Sequence, residues 1–335
     1  MGEIQVPCVR DFNRSLCMSE SVSGRRVWVT GHRGMLGAAM VRRLEGTGAE
    51  LLLAGRSELD LTRQSDVYKW AKENKPELVF HIGAKVGGIH ANATLPGDFL
   101  RENLLIQTNV MDAAFQAGVK KLVFVASNCT YPTRAELPIK ESSQLTGALD
   151  ESIRSYAISK IAGIEMCRAY KLQYGADFVA VIPPNLYGPG DNYHPEHSHV
   201  VAGILRRVHE AKISGAESFV VWGDGTPRRE LLHVDDLADA MLHLMNRQTD
   251  WLYNIGYGTD LAISEIAALV AEVVGYKGAI VYDKSKPNGT MKKLLDSSRI
   301  NQLGWFAKKD PKLGLKEAYA DFLSQLNQPE RSRLG

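Results

Sequence analysis

The sequence lacks two features that would place it at a membrane or on a nucleic acid. No apolar run approaches the roughly 20 residues that span a bilayer, and no block of like charges occurs. The 40 Lys and Arg residues nearly balance the 38 Asp and Glu residues, for a formal net charge of +2. We therefore expect neither a nucleic-acid partner nor a membrane partner, and expect charged ligands to be bound by local groups.

Closely spaced cysteine pairs, which zinc ribbons and redox motifs require, are also absent. A chain of 335 residues with 44% hydrophobic residues can bury a core without disulfides. Acidic residues interrupt the N-terminal segment, where a secretory signal would need a continuous apolar stretch. These observations predict a cytoplasmic protein with reduced cysteines at Cys8, Cys17, Cys129 and Cys167.

A cluster of three histidines, His194, His197 and His199, invites interpretation as a zinc site. Tetrahedral zinc coordination needs a matching Cys, His or Asp spacing, and the chain offers none. We therefore predict no metal site and interpret most of these side chains as exposed loop residues.

Short apolar runs alternate with amphipathic stretches through the first part of the chain. The predicted strands are 26–30, 51–55, 78–83, 122–127 and 178–183, and the predicted crossover helices are 37–46, 62–74 and 103–117. Fully apolar strands are typical of a parallel sheet that is covered on both faces. The pattern predicts an α/β protein with a Rossmann-type, doubly wound parallel sheet.

A change in composition near residue 187 predicts a second domain. The chain becomes rich in Gly, Pro, His and Arg loops, with further helices predicted at 263–274 and near 315–326. We predict a loosely ordered N-terminal extension at 1–24 and an NADP-binding Rossmann domain at 25–186. A smaller α/β substrate-binding domain is predicted mainly at 187–330, where the chain can cross back to the first domain.

A glycine triad follows the first predicted strand. The stretch TGHRGMLG places Gly31, Gly34 and Gly37 where the chain passes from strand to helix. A tight turn with bare backbone at a helix N-terminus can receive a pyrophosphate. A flexible turn is the alternative, but the strand before it and the helix after it favour a dinucleotide site.

An acidic residue is missing at the end of the second predicted strand, where an NAD enzyme usually binds the adenosine ribose hydroxyls. The chain has Gly55, Arg56 and Ser57 there. Arg56 can pair with the 2′-phosphate of NADP, with help from Arg33 in the glycine turn. We therefore predict NADP(H) as the cofactor, the alternative being that Arg56 is a solvated loop residue.

Tyr156 and Lys160 lie one helical turn apart in the stretch IRSYAISK and therefore face the same side of a helix. A nearby ammonium favours the phenolate, which predicts a lowered tyrosine pKa and proton exchange with a carbonyl or alcohol. Ser127, at the end of the fourth predicted strand, can hydrogen-bond the same oxygen. A surface helix pair is the alternative, but the glycine turn and the upstream Ser127 favour a catalytic set.

The Gly-x-x-Gly-x-x-Gly spacing and several longer motifs resemble the extended short-chain dehydrogenase/reductase family, and within it the nucleotide-sugar epimerase-reductases. The resemblance covers Arg26 to about Leu326. Its motifs are TGHRGMLG, AKVGGIHAN, SNCTYP, YAISKIAGIEMC, NLYGPGDNYHPEHSHV, VVWGDGTPRRELLHVDDLADA and SKPNGTMKKLLD. The chain departs from the family pattern at Asn128, where a small hydroxyl residue is familiar, and at Pro184, where threonine is usual.

The resemblance implies an enzyme that epimerises GDP-4-keto-6-deoxy-D-mannose at the 3- and 5-positions and then reduces the 4-keto group with NADPH, giving GDP-L-fucose. It implies that Cys129 and His199 form the proton-transfer pair and that Ser127, Tyr156 and Lys160 serve reduction. A Cys129 thiolate near a protonated histidine or an oxidised nicotinamide would have a lowered pKa. Considered without the resemblance, Cys129 is better interpreted as a buried small hydrophobic residue.

The resemblance also implies ligand-binding residues and a homodimer. The implied cofactor contacts are Gly31, Arg33, Gly34, Met35, Gly37, Arg56, Asp60, Ala84, Tyr156, Lys160 and Asn185. The implied contacts to the GDP-sugar are Arg207, Trp222, Arg229 and Lys293. Each cation can instead be a solvated surface charge, and Trp222 can be a core residue. The dimer would form through the helices that contain Asn103 and Tyr156.

Three other functions compete with this hypothesis. A related epimerase-reductase that makes GDP-colitose or a GDP-deoxyheptose would have nearly the same site. A NAD-dependent nucleotide-sugar 4-epimerase or 4,6-dehydratase would prefer an acid near Arg56 and would not need both Cys129 and His199. A redox-sensing Rossmann protein without turnover would typically lack the complete set of Ser127, Tyr156 and Lys160.

Overall fold

The computed structural model describes residues 22–195, 197–286 and 288–327. Most of the predicted extension at 1–24, with Cys8 and Cys17, lies outside the described residues. The first part of the chain alternates strands and helices, as predicted. Its elements are β1 (Arg26–Thr30), α1 (Met35–Leu44), β2 (Glu50–Leu52), α2 (Gln64–Asn74), β3 (Leu78–His81), α3 (Ile89–Thr94), α4 (Pro96–Gln116), β4 (Lys121–Val125), α5 (Arg154–Tyr174) and β5 (Asp177–Ile182).

The second part of the chain continues from β5 without a long linker. Its elements are β6 (Asn185–Tyr187), α6 (Val200–Ser214), β7 (Ser218–Trp222), β8 (Arg228–His233), α7 (Val234–Met245), β9 (Leu252–Asn254), β10 (Asp260–Ala262), α8 (Ile263–Val274), β11 (Ala279–Asp283), α9 (Ser298–Gln302) and α10 (Pro311–Leu326). The predicted helix at 263–274 is α8, and the one predicted near 315–326 is α10.

A six-stranded parallel sheet organises the molecule, with strand order β2-β1-β3-β4-β5-β9. Strands β3 and β4 are buried along their whole length, as their largely apolar sequences predict. The strand order reverses direction between β1 and β3, which is where doubly wound sheets bind ligands at the carboxyl ends of their strands.

Helices cover both faces of this sheet. On one face, Met40 of α1 and Met241 of α7 belong to the same buried apolar cluster. On the other face, Met111 of α4 and Ile164 of α5 pack into a second cluster. The predicted Rossmann-type fold is therefore confirmed. No helix in the described part of the chain is both long and apolar enough to cross a membrane.

The second part of the chain builds two smaller sheets and then returns to the first. One sheet has the order β10-β8-β6 and the other pairs β11 with β7. Strand β9 instead pairs in parallel with β5, and α7 packs against α1. Residues 234–254 therefore pack with the large sheet, and the predicted domain boundary at 186 stays a prediction.

Several predicted elements differ in length from the observed ones, and two of them show where local turns decide the boundary. The helix predicted at 103–117 begins at Pro96, because proline is favoured in the first turn of a helix. The strand predicted at 51–55 ends at Leu52. A turn follows it, in which the Gly55 N–H donates to Glu58 Oε2 over 2.8 Å and the Glu58 N–H donates to the Gly55 carbonyl over 2.9 Å.

Helix α5 lies so close to the sheet that only glycine fits at one position. A Cβ on Gly163 would lie 2.4 Å from Phe124 Cζ, whereas a Cβ on Gly97 of α4 would meet nothing within 4 Å. We expect Gly163→Ala to lower the free energy of unfolding by about 1–3 kcal/mol through overpacking. Gly97→Ala should leave it unchanged or raise it by up to about 1 kcal/mol. Urea unfolding measures the free energy of unfolding of both variants. Equal changes in Gly163→Ala and Gly97→Ala would contradict the close packing at Gly163.

Candidate active site

The glycine turn between β1 and α1 brings bare backbone to the carboxyl edge of the sheet. Gly31 has a φ of +68°, and a Cβ there would lie 2.7 Å from Gly83 Cα. A Cβ on Gly37 would lie 2.0 Å from the Gly31 carbonyl oxygen. Gly34 is the N-cap of α1 and supplies no side-chain cap. The N–H groups at the start of α1 can therefore bind a pyrophosphate, so the residues fit a dinucleotide.

A cavity of about 550 Å³ opens beside this turn. Four of the predicted cofactor contacts, Arg33, Arg56, Asp60 and Ala84, line it. The Arg33 guanidinium lies against Gly55, where a Cβ would be 3.0 Å from its Cζ. Hydrogen bonds from the Thr62 N–H and hydroxyl lower the pKa of the Asp60 carboxyl. Two arginines therefore border this cavity at the end of β2.

A second cavity of about 400 Å³ adjoins the first at the glycine turn. It brings together residues that lie far apart in the sequence. Those predicted as catalytic or cofactor-binding residues that line it are Gly31, Gly34, Met35, Ala84, Ser127, Tyr156, Lys160, Asn185 and His199. Asn128 and Pro184, the two departures from the family pattern, line it as well.

Lys160 is buried beneath this second cavity. Its ammonium donates to the Val125 carbonyl over 2.8 Å and lies 4.8 Å from the centroid of the Phe124 ring. Burial lowers the pKa of Lys160 to about 8. The ammonium is therefore still mostly protonated at pH 7, and it is fixed to the end of β4.

The predicted lowering of the Tyr156 pKa is wrong for this structure. Burial raises the pKa of the Tyr156 phenol, and the nearby Cys129 raises it further. Lys160 Nζ lies 5.9 Å from the centroid of the Tyr156 ring, and its hydrogen bond goes to Val125. The phenol is therefore protonated at neutral pH, because desolvation outweighs a lysine that is itself desolvated.

Cys129 lies in a short 3₁₀ turn, Asn128–Thr130, that directly follows Ser127. Its N–H donates to the Ser127 hydroxyl over 3.3 Å, and the residue is 4% exposed. Burial raises the pKa of the thiol more than Ser127, Lys293 and Lys160 lower it. Cys129 is a neutral thiol behind the cavity wall.

His199 is the N-cap residue of α6 and lines the second cavity. The residue is exposed, yet desolvation of the ring by the surrounding protein lowers the pKa of its imidazole, so the ring is neutral at pH 7. His194 and His197 stack on each other with centroids 4.4 Å apart, away from the cavity lining. The structure therefore separates His199 from the other two histidines of the cluster.

The four predicted substrate-binding residues lie outside the lining of these two cavities and form two groups. The Arg207 guanidinium lies 5.6 Å from the centroid of the Trp222 ring, and Lys286 Nζ lies 5.7 Å from it. Trp222 is 63% exposed, which excludes its interpretation as a core residue. In the other group, Arg229 Nη1 donates to the Thr290 carbonyl over 2.7 Å, and Lys293 is near enough to interact electrostatically.

Two buried polar residues shape the cavities in a way that the sequence did not indicate. The Thr30 hydroxyl accepts from the N–H groups of Ile82 and Gly83 over 3.0 and 2.9 Å. Asn103 accepts from the Lys85 N–H over 2.8 Å and donates to the Lys85 carbonyl over 3.0 Å. Both hold the loop after β3 in place. Their only sequence signal is a polar side chain within otherwise apolar elements.

Comparison with known proteins decides the family. The sequence profile of the NAD dependent epimerase/dehydratase family matches residues 27–256. The chain belongs to this family. GDP-L-fucose synthase 1 of Arabidopsis thaliana is 50% identical to it over 310 residues, which cover 92% of this chain and 96% of the relative. The resemblance to the extended nucleotide-sugar epimerase-reductases is thereby confirmed.

Two further relatives bear on the site. GDP-L-fucose synthase of Escherichia coli K12 is 47% identical over 313 residues, covering 90% of this chain and 98% of the relative. A solved GDP-mannoheptose C4 reductase of Campylobacter jejuni with NADP bound is 36% identical, with a TM-score of 0.81. The match covers 90% of this chain and 99% of that one.

Thr30 offers a direct test of how the cavities are held. Its hydroxyl is 2.9 Å from His81 Nδ1 as well as accepting two N–H groups. We expect Thr30→Val to lower the free energy of unfolding by about 2–4 kcal/mol, because two buried N–H groups lose their acceptor. Thr30→Ser keeps the hydroxyl and should cost only about 1 kcal/mol. Equal free energies of unfolding for the two variants, measured by urea unfolding, would contradict the role of the Thr30 hydroxyl as a buried acceptor.

Proposed function

We propose that the protein is an NADPH-dependent epimerase-reductase that converts GDP-4-keto-6-deoxy-D-mannose into GDP-L-fucose. One observation is central: Ser127, Tyr156, Lys160 and His199 line a single cavity beside the glycine turn, with Cys129 directly behind Ser127. The GDP-L-fucose synthases that are 50% and 47% identical support the choice of substrate.

The cofactor proposal rests on charge at the first cavity. Arg33 and Arg56 border it at the end of β2, where a 2′-phosphate would be placed by a dinucleotide on the glycine turn. Arginine binds phosphate oxygens with paired N–H groups. The NADP-bound structure of the related heptose C4 reductase supports the same choice.

For the reduction, NADPH supplies the hydride to the 4-keto carbon when it is bound. The neutral phenol of Tyr156 donates its proton to the keto oxygen, and the Ser127 hydroxyl hydrogen-bonds the same oxygen. Burial keeps Tyr156 protonated, which is the state that a proton donor needs before reaction. The Lys160 ammonium then stabilises the phenolate that remains.

For the epimerisation, the protons next to the keto group are acidic because their loss gives an enolate. Ser127 and Tyr156 stabilise the enolate oxygen through the contacts used in reduction. Inversion needs a base on one face of the ring and an acid on the other. The neutral imidazole of His199 supplies the base, and the neutral thiol of Cys129 supplies the acid.

A C4 reductase without epimerase activity is the second candidate. One observation favours it: burial holds Cys129 as a neutral thiol that is 4% exposed, so packing alone would explain it. The related heptose C4 reductase has the same fold. Hydrogen exchange at the sugar ring separates the two candidates.

Isotope exchange tests the proposed proton pair. In deuterated water with oxidised cofactor, the parent enzyme should exchange substrate hydrogen at the 3- and 5-positions. Cys129→Ser should lose most of the exchange that occurs with inversion, because a serine hydroxyl is a far weaker acid than a thiol for protonating the opposite face of the enolate, yet it should still bind NADPH. Tyr156→Phe should slow reduction severely and retain some exchange. NMR of the recovered sugar measures both.

Cys167→Ser is the matched control, since Cys167 is also a buried free cysteine but packs in the apolar core. It should exchange at the parent rate per folded molecule. If Cys129→Ser also exchanges and epimerises at the parent rate, the thiol only packs and its assignment to the proton pair is wrong. A parent enzyme that exchanges hydrogen at neither position supports the reductase candidate instead.

Cofactor preference tests the role of Arg56. The Arg56→Asp variant should bind NADPH roughly 10- to 100-fold more weakly than the parent, because an arginine that pairs with the 2′-phosphate is replaced by a carboxylate that repels it. NADH binding should change little, so the preference for NADPH over NADH should narrow or reverse. Fluorescence titration measures both, with Arg63→Asp as an exposed control outside the cavity lining. A parent protein that uses NADH and NADPH equally well would refute the assignment.

We also propose that the protein is a cytoplasmic homodimer formed through α4 and α5. Leu105 of α4 and Ile158 of α5 are 37% and 40% exposed, which leaves apolar surface on this helix pair. Leu105→Lys combined with Ile158→Lys should give a monomeric mass by light scattering. Ile213→Lys, at a 70% exposed position on α6, should leave the dimer intact. A monomeric parent protein would contradict the proposal.

A further inference from the structure

The loop that contains Thr290 and Lys293 is hydrogen-bonded to β8 along its length. The Thr290 carbonyl accepts from Arg229 Nη1 over 2.7 Å. Farther along, the Leu295 N–H donates to the buried Glu230 carboxylate over 2.9 Å. Arg229 and Lys293, the cations proposed for the GDP-sugar, are therefore placed by one loop and one strand.

The same loop is also bound to the segment that leads into the catalytic helix. The Thr290 hydroxyl donates to Asp150 Oδ2 over 3.1 Å. Asp150 Oδ1 accepts from the Ser152 N–H over 3.1 Å and from the Ser152 hydroxyl over 2.7 Å. Asp150 thereby caps the 3₁₀ turn Glu151–Ile153, which runs directly into α5 with Tyr156 in its first turn.

Charge supports this connection. Burial acts to raise the pKa of the Asp150 carboxyl, but hydrogen bonds from Ser152 and Thr290 and the charge of Lys293 lower it below its ordinary value. Asp150 is therefore a carboxylate at neutral pH. Its negative charge attracts Lys293, while its two oxygens bind different segments of the chain.

We infer that Asp150 and Thr290 are positioning residues that hold the loop with Lys293, and through it Arg229, in register with the helix that contains Tyr156. They bind no substrate themselves. The inference rests on the proposed function, because it assumes that these two cations bind the diphosphate of a GDP-sugar. Part of the affinity for the GDP-sugar therefore depends on the hydrogen bond from the Thr290 hydroxyl to Asp150, which joins the first and second parts of the chain.

Binding of GDP alone tests the inference without turnover. Thr290→Val removes the hydroxyl and keeps the carbonyl that Arg229 uses. We expect it to weaken GDP binding about tenfold, the effect of losing a hydrogen bond to a charged partner. Thr290→Ser should restore parent affinity. Thr226→Val is the control, since the Thr226 hydroxyl donates to Asp224 within a single exposed loop.

Isothermal titration with GDP and with NADPH distinguishes the outcomes. Weaker GDP binding with unchanged NADPH binding and unchanged melting temperature supports the positioning role. GDP binding within twofold of the parent overturns it, and so does a parallel loss of GDP binding, NADPH binding and thermal stability. The proposed function fails separately, if the parent protein does not turn over the keto sugar.

Discussion

The hydrogen bond from the Lys160 ammonium to the Val125 carbonyl, 2.8 Å long, joins α5 to the central sheet. It holds Tyr156, one turn earlier on α5, at the cavity that Ser127, which follows the end of β4, also lines. A buried ammonium is costly unless it is paired, and here a carbonyl and the face of Phe124 compensate it. The geometry of the second cavity depends on this one contact.

The fold was predictable from the sequence because the parallel strands are buried on both faces and form continuous apolar runs. The glycine turn and the set of Ser127, Tyr156 and Lys160 were predictable for a related reason, since their positions at strand ends and one helical turn apart follow from local geometry. The helix start at Pro96 and the short β2 depend on local turns that apolar periodicity does not report.

The pKa directions of Tyr156 and Cys129 were not predictable, because the sequence names the neighbouring charges but not the depth of burial. Desolvation raises the pKa of both groups and lowers that of Lys160. The resulting resting state, a neutral phenol and a neutral thiol, suits proton donation. Contacts such as Thr290 to Asp150 join segments 140 positions apart, and no local pattern reports them.

The central claim is that one cavity performs both epimerisation and reduction. Its most direct measurement is product analysis by NMR after incubation of the parent enzyme with GDP-4-keto-6-deoxy-D-mannose and NADPH. We expect GDP-L-fucose, with inverted centres at the 3- and 5-positions and one NADPH oxidised for each molecule formed. A product reduced at the 4-position with both centres unchanged, or no reduced product, would contradict the claim.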